Sequence, residues 1–538
     1  MVWRSCVTVC VLALLHGAAQ AQVTENWVSL FNPPGAEEWT DMAMDAAGNV
    51  YVTGRHWGEG TVHYVTARYS PDGDLLWAQQ FGTTSVPIED DAVHLALDSC
   101  GCVYLTCKAP GPTTSWDIAT VKYSPEGEEL WVEYVDGQGR EDQGRALAVT
   151  SGGVVVAGTA FTNNGGTRYV TIQYDGEGRK EWAHVYTPAF NSGGPLAVAV
   201  DAQDNVIVLA VTYDSNGSPD FLLLKYCCQG ELLWSRVYGG YGPDFPEDLA
   251  LDEVGNIYAA GFGYGTFPGT LDLILLAYDP DGEMLWEQIW DSPNHDWEHG
   301  GFVAVHETGV YWGGKAFTTL PGHNSTYQLF KYSFSGEELW WYSKGDTLSH
   351  HILEDMAVDA QGNVYLTGRR TLHYAVGEDG VTVKVGPDGV EQWAVTYAGA
   401  SNSIDEALVI ALDGEGNPAV AGQTHVEPVY QAFVVKYGTC LSAAPDPVAD
   451  RAALQPLTVS PNPFNPETAL GYRLSAPGWV SLQVYDTAGR ETAKLVNGWQ
   501  DAGAHEVTFD GAGLPSGIYF VRLQAGEGMA VQKIVLLK

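Results

Sequence analysis

Positive charge is scarce in this chain. Only 26 Lys and Arg stand against 66 Asp and Glu, a formal net charge of −40, which repels phosphate backbones and anionic lipid and excludes a nucleic-acid binder. Charge of either sign is also sparse, at 17% of residues against 45% hydrophobic, so the acidity decorates a folded protein and not a disordered tail. Beyond the N-terminal segment no stretch approaches the ~18 apolar residues that cross a bilayer. Catalytic signatures are missing too: there is no Gly-x-Ser-x-Gly, no His-Glu-x-x-His, no phosphate loop and no dinucleotide fingerprint. Paired carboxylates abound, but in so acidic a chain their abundance identifies no acid/base pair. Glycine and tryptophan are plentiful instead, with 63 and 18 residues.

Residues 1–21 carry Arg4, a short apolar run from Cys6 to Leu15 and the small-residue end Ala19-Gln20-Ala21. This reads as a cleaved signal peptide, with Gln22 starting an exported, soluble chain. Of the 8 Cys, those after the cleavage site are Cys100, Cys102, Cys107, Cys227, Cys228 and Cys440. Their spacing fits no structural zinc pattern. A disulfide within the first three and buried free thiols stay open as alternatives, and the cysteines form no repeating framework.

The decisive feature is internal repetition. Asp45-Ala-Ala-Gly-Asn-Val-Tyr-Val-Thr-Gly54 returns from Asp98, Asp201, Asp252, Asp359 and Asp413, with degenerate copies near Ser151 and His306. A second phrase, Arg68-Tyr-Ser-Pro-Asp-Gly-Asp-Leu-Leu-Trp77, places Trp at 77, 131, 182, 234, 286, 340 and 393. Each unit reads as four short strands. Asp-x-x-Gly-Asn forms the first hairpin turn, with Gly or Asn at positive φ, and Pro-Asp-Gly forms the last. Units of about 50 residues that cannot bury two apolar faces alone must stack, as the blades of a β-propeller do. The last unit, 404–438, lacks its Trp strand, and Asn26-Trp-Val-Ser-Leu-Phe31 at the other end supplies the missing phrase. The expected fold over 22–441 is an eight-bladed β-propeller closed by the N-terminal strand, the periodic Trp packing between blades.

The Gly-Asn-Val-Tyr-Val-Thr-Gly phrase followed by Arg-Tyr-x-Pro-Asp-Gly-x-x-Leu-Trp resembles the bacterial SBBP β-propeller repeat. That family is usually described as seven-bladed, so the resemblance implies a seven-bladed alternative and a binding or structural scaffold without shared catalytic residues.

Residues 442–455 read as a linker, rich in Pro, Ala and Asp. Residues 456–538 alternate with period two between Gly and Pro turns, which predicts a small β-sandwich. Ser460-Pro-Asn-Pro-Phe-Asn-Pro466, Val484-Tyr-Asp-Thr-Ala-Gly-Arg490, Leu514-Pro-Ser-Gly-Ile-Tyr-Phe520 and the terminal Lys533-Ile-Val-Leu-Leu-Lys538 resemble the C-terminal sorting domain of type IX (Por) secretion cargo, related to the Ig-like domain of flagellar hook-capping proteins. The resemblance implies passage through the periplasm of a Gram-negative-type bacterium, recognition by the type IX machinery, and release or attachment at the outer surface. This tail carries 7 acidic and 6 basic residues, so nearly all of the −40 belongs to the repeats.

Loops between the second and third strands and between successive units vary most, and a ligand is expected there. Trp39, Trp57, Trp116 and Trp297 break the periodicity and fall on that face, where exposed indoles could stack on sugar rings. His295, His299, His350 and His351 lie in loops of neighbouring units and could converge on Zn2+ with Glu298 or Glu354. Acidic residues recur ahead of each first strand, from Glu37 and Glu38 to Asp405 and Glu406, where they could hold Ca2+ or form a solvated rim. No other cofactor is called for. The expected function is a non-enzymatic exported binding module or scaffold, its ligand a glycan or a surface protein; the alternative is a secreted hydrolase or lyase acting on polysaccharide.

Overall fold

Short apolar phrases separated by Asp- and Gly-rich turns have one way to satisfy their backbone, as antiparallel hairpins. The computed structural model describes residues 23–439 and 458–538, apart from short segments at 32–35, 59–60, 85–92, 112–115, 138–140, 163–164, 191–192, 241, 266–269, 294, 296, 318–324, 346–348, 373–376, 400–403, 427–428, 475–477, 487–489, 501–502 and 526–527. The signal peptide, the linker and Cys440 lie outside the described residues. The chain divides into two compact units at 440/441. The described residues form an all-β protein without helices.

In the first unit eight four-stranded antiparallel sheets follow one another among the described residues. Sheets 1 to 7 span 36–84, 94–135, 143–186, 194–238, 244–290, 298–344 and 349–397. Sheet 8 takes three strands from 405–439, and its fourth is Val23–Phe31 from the other end of the unit. This strand pairs antiparallel with Val429–Thr439, Leu30 opposite Phe433 and Val28 opposite Val435.

The first turn of each unit is held by its aspartate. Asp45 Oδ1 accepts from the backbone N–H of Ala47 and Asn49 at 3.0 and 2.9 Å, and its Oδ2 accepts from the Asn49 side-chain amide at 2.7 Å. Asp201, Asp252 and Asp359 repeat the arrangement. Positive φ falls to glycine, as at Gly48 (82°), or to Asp204 (58°). The asparagine thus serves as a donor to the aspartate and not as the left-handed residue.

The second turn explains the Trp. The Trp77 indole Nε1 donates to the Pro125 carbonyl in sheet 2 at 2.9 Å, Trp234 to Pro280 in sheet 5 at 3.1 Å, and Trp27 to Pro71 in sheet 1 at 2.8 Å. Trp131, Trp182, Trp286 and Trp340 make the same bond to the next sheet. The turn glycine lies flat on that indole: a Cβ on Gly282 would stand 2.9 Å from the Trp234 ring, and φ there is +80°. Pro-Asp-Gly therefore encodes an inter-sheet clasp as well as a turn.

Apolar packing follows the same geometry. Each of the first unit's clusters joins two consecutive sheets, for example Val155 and Tyr169 of sheet 3 with Val208, Leu222 and Leu224 of sheet 4. One cluster joins sheet 8 to sheet 1, through Ala419, Ala421 and Val434 against Val50, Val52 and Ala67. The first strands of successive sheets lie side by side, that of sheet 8 (Asp405–Leu412) against that of sheet 1 (Ala36–Met44).

The second unit has two antiparallel sheets. One orders 458–460, 467–474 and 503–510; the other orders 491–500, 478–486, 517–525 and 528–536. Leu470, Tyr472, Val480, Leu482, Phe509, Val521, Leu523 and Ile534 share one core between them. Cys100, Cys102, Cys107, Cys227 and Cys228 are free thiols, which removes the disulfide alternative among the first three.

Candidate functional site

The first strands carry most of the unit's unusual chemistry. In several of them one residue is inserted against the partner strand, as between Trp39 and Asp41, Pro246 and Asp248, and Leu353 and Asp355. Such a bulge re-aims a side chain. Asp41, Asp248 and Asp355 bind backbone with both oxygens. Asp248 accepts from the N–H of Leu249 at 2.7 Å and, in sheet 6, from Val303 at 2.9 Å; Asp355 accepts from Met356 at 2.7 Å and, in sheet 8, from Ile410 at 2.8 Å. Asp41 bridges to Leu95 of sheet 2 at 2.9 Å. Crowding by protein nevertheless raises Asp248 to about 6 and Asp355 to about 7, the backbone bonds offsetting part of the desolvation.

A cavity of about 450 Å³ is lined by His94, Gln143, Arg145, Pro195, Leu196, Pro246, Glu247 and Phe302, all from the first strands of sheets 2 to 6. The Glu247 side chain is exposed to solvent yet ringed by protein at longer range, as on the wall of a water-filled recess. Desolvation lifts it to about 7, against the pull of the Gly301 backbone and Lys315. Glu354 is raised by the same cause. The acidic residues ahead of the first strands are partly neutralised: Glu38 pairs with Arg55 at 2.6 Å, Glu141 with Lys108 at 3.0 Å, and Arg369 contacts Glu354, Glu378 and Glu406. Asp90 and Asp91 lie outside the described residues.

The four aperiodic Trp separate by burial. Trp39 is a core residue of the sheet 8 to sheet 1 cluster, and Trp116 is buried under the Lys108 ammonium. Apolar packing takes both out of reach of a ligand, a correction to the expected stacking role. Trp57 is half-buried beneath the Arg55 guanidinium. Trp297 is 56% exposed, the one of the four that presents an open face.

The four His are each engaged elsewhere. His295, in the left-handed region (φ 53°), bonds Asp291 Oδ2 through Nδ1 at 2.5 Å. His299 sits among Phe262, Trp297 and Phe317, and burial lowers its pKa. His351 is buried, its Nε2 against Ser349 Oγ at 2.9 Å and its ring edge-on to Tyr327. His350 is half-buried on the same strand. Among the described residues no potential metal-holding group includes any of the four, so the structure does not bring them together.

Two carboxylate groups that spacing did not single out stand where one sheet passes to the next: Asp117, Asp136 and Asp142, and Asp272, Asp291 and Glu298. Their signal was available in the sequence, an acid opening the third strand and another opening the next first strand. A second cavity, about 580 Å³, lies on the side of the first turns and is lined by Asp252, Val254, Asn256, His306, Phe334 and Ala360 among others. The repetition of those turns concealed it, because Val254 and Phe334 are the variable positions inside otherwise constant phrases.

Residues 458–537 match the family described as the secretion system C-terminal sorting domain. No curated protein matches the chain. Among solved structures, Sqt1 from Chaetomium thermophilum is 9% identical over 77% of this chain and 99% of its own, with a TM-score of 0.46. A PL25 ulvan lyase is 10% identical over 63% of this chain and 93% of its own, TM-score 0.39. PorZ, a bacterial surface component of the type IX secretion system of Porphyromonas gingivalis, is 11% identical over 93% of this chain and 81% of its own, TM-score 0.19. The chain thus carries a C-terminal sorting domain, which implies export to the cell surface or the extracellular space and an encounter with the type IX machinery.

Proposed function

We propose that residues 23–439 form a closed ring of eight SBBP-type blades around a central recess, and that this ring is a non-enzymatic binding module displayed outside the cell by an Ig-like sorting domain. The observation that carries the reading is what the polar side chains of the first strands do. Asp41, Asp248 and Asp355 spend both oxygens on backbone of the same and the neighbouring sheet, so these first-strand acids brace one sheet against the next. A scaffold built this way presents variable loops on a rigid frame, the usual arrangement for recognition. Exposed Trp297 and the recess beside Glu247 and Arg145 are the surfaces it offers to a glycan or surface protein.

One observation favours the second reading, a secreted hydrolase or lyase: Glu247, raised to about 7 in a recess, has the properties of a general acid. A glycan array probed with the full chain, with and without Ca2+, and paired with reducing-sugar release separates the two. Binding without release supports the module. Sugar release that disappears in Glu247→Gln overturns it.

A further inference from the structure

Asp142 and Glu298 occupy the same place in two sheets. Asp142 opens sheet 3, and its N–H donates to the Trp116 carbonyl; Glu298 opens sheet 6, and its N–H donates to the Leu271 carbonyl. In each case the acceptor precedes the aspartate that opens a third strand, Asp117 or Asp272. The carboxylates then diverge. Asp142 accepts from the Gly137 and Phe161 backbone N–H groups. At the corresponding positions of sheets 5 and 8, Asp244 accepts from Gly240 and Asp405 from Gly399, both at 2.8 Å.

Glu298 is one methylene longer, fully buried, and neither carboxylate oxygen has a hydrogen-bond partner. The Ser292 hydroxyl and backbone N–H approach it and draw its pKa down against burial, but neither reaches hydrogen-bond geometry. Asp291 Oδ1 is likewise buried without a partner, while its Oδ2 is fixed by His295. An oxygen from each of Asp272, Asp291 and Glu298 lies within 4.8 Å of the others. That is the span of opposite ligands on a sphere of radius about 2.4 Å, the Ca2+–oxygen distance. Burying carboxylate oxygens beside one another without donors is costly unless a cation joins them.

We propose that Asp272, Asp291 and Glu298 hold one divalent cation, Ca2+, between sheets 5 and 6, with His295 orienting Asp291 and solvent completing the shell. The donor set is hard oxygen only, which favours Ca2+ over zinc. The cation fastens the segment that carries exposed Trp297 to the sheet below. On binding, any proton on the Glu298 carboxyl is released to solvent and the carboxylate takes its place on the metal.

Full-length protein stripped with EDTA tests this by calorimetric titration with Ca2+ alone and by thermal unfolding with and without it. The expected result is a site that Ca2+ saturates at submillimolar concentration, a thermal midpoint raised by Ca2+, and at least a tenfold loss of affinity in Glu298→Gln and in Asp291→Asn. Asp136→Asn, at the exposed member of the other group, is expected to bind like the parent. Two independent ligand variants keep the test decisive if one folds poorly. Absence of Ca2+ binding at 1 mM, or Glu298→Gln and Asp291→Asn binding as the parent does, overturns the proposal.

Discussion

Seven of the eight Trp positions and the remaining one solve the same problem differently. At Trp27, Trp77, Trp131, Trp182, Trp234, Trp286 and Trp340 the indole donates to a turn carbonyl of the next sheet and a turn glycine covers its ring. Trp393 points toward sheet 8, where the third strand ends at Thr439 and the fourth begins at Val23, so no turn connects them. Its Nε1 is buried without a partner. The clasp therefore belongs to the continuous chain, and where two chain segments meet it is replaced by strand pairing and apolar contact. Joining the two ends of the unit in one sheet leaves sheet 8 without its turn.

Breaking the strand pairing should have the largest effect. Deleting residues 23–32 removes the fourth strand of sheet 8 together with Trp27 and bares the edge of Val429–Thr439. The unfolding midpoint of the first unit should fall by on the order of 10 °C, with aggregation on heating; differential scanning calorimetry reads both. Breaking one continuous clasp comes next. Gly282→Val forces a branched Cβ onto the Trp234 ring at positive φ and should cost about 1–3 kcal/mol, measured by chemical denaturation.

Protonation acts on two of the braces, those of sheets 5 and 7. Asp248 and Asp355, held at about 6 and 7, bind protons more tightly folded than unfolded, so their contribution to stability is fully present below about pH 4 and lost as pH rises through 6 to 7. Asp201, Asp413 and Glu391 are lowered, despite burial, by hydrogen bonds from neighbouring side chains and backbone; their contribution is present at neutral pH and lost in acid. The midpoint should therefore rise as pH falls from 8 to 5 and drop again below 4. A steady fall from pH 8 to 5 would contradict the assignment of these carboxyls. The smallest effect sharpens the comparison most: Trp234→Phe loses one hydrogen bond, about 1 kcal/mol, whereas Trp393→Phe has no indole bond to lose and should cost measurably less.

Much of this architecture was legible because it is periodic. A Trp every 50 to 54 residues, and one Trp phrase displaced to the N-terminus, place Val23–Phe31 in the last sheet from the sequence alone, where the structure has it. What periodicity conceals is the third dimension. Trp39 and Trp116 looked like free aromatics because they break the repeat, yet they fill cores that the bulged first strands and the Lys108 side chain leave for them. The His pairs looked convergent in sequence, but alternation along a strand turns His351 inward and leaves His350 on the other face. Glu298 was named only as a partner for histidines; its role turns on being one methylene longer than Asp142, a difference that only the surrounding backbone makes meaningful.

Hydrogen exchange of the intact protein, followed by mass spectrometry, tests the proposed ring most directly. Amides of Val23–Phe31 should exchange as slowly as those of Val429–Thr439, because each protects the other. Exchange of 23–31 within seconds while 429–439 remains protected would contradict closure by the N-terminal strand.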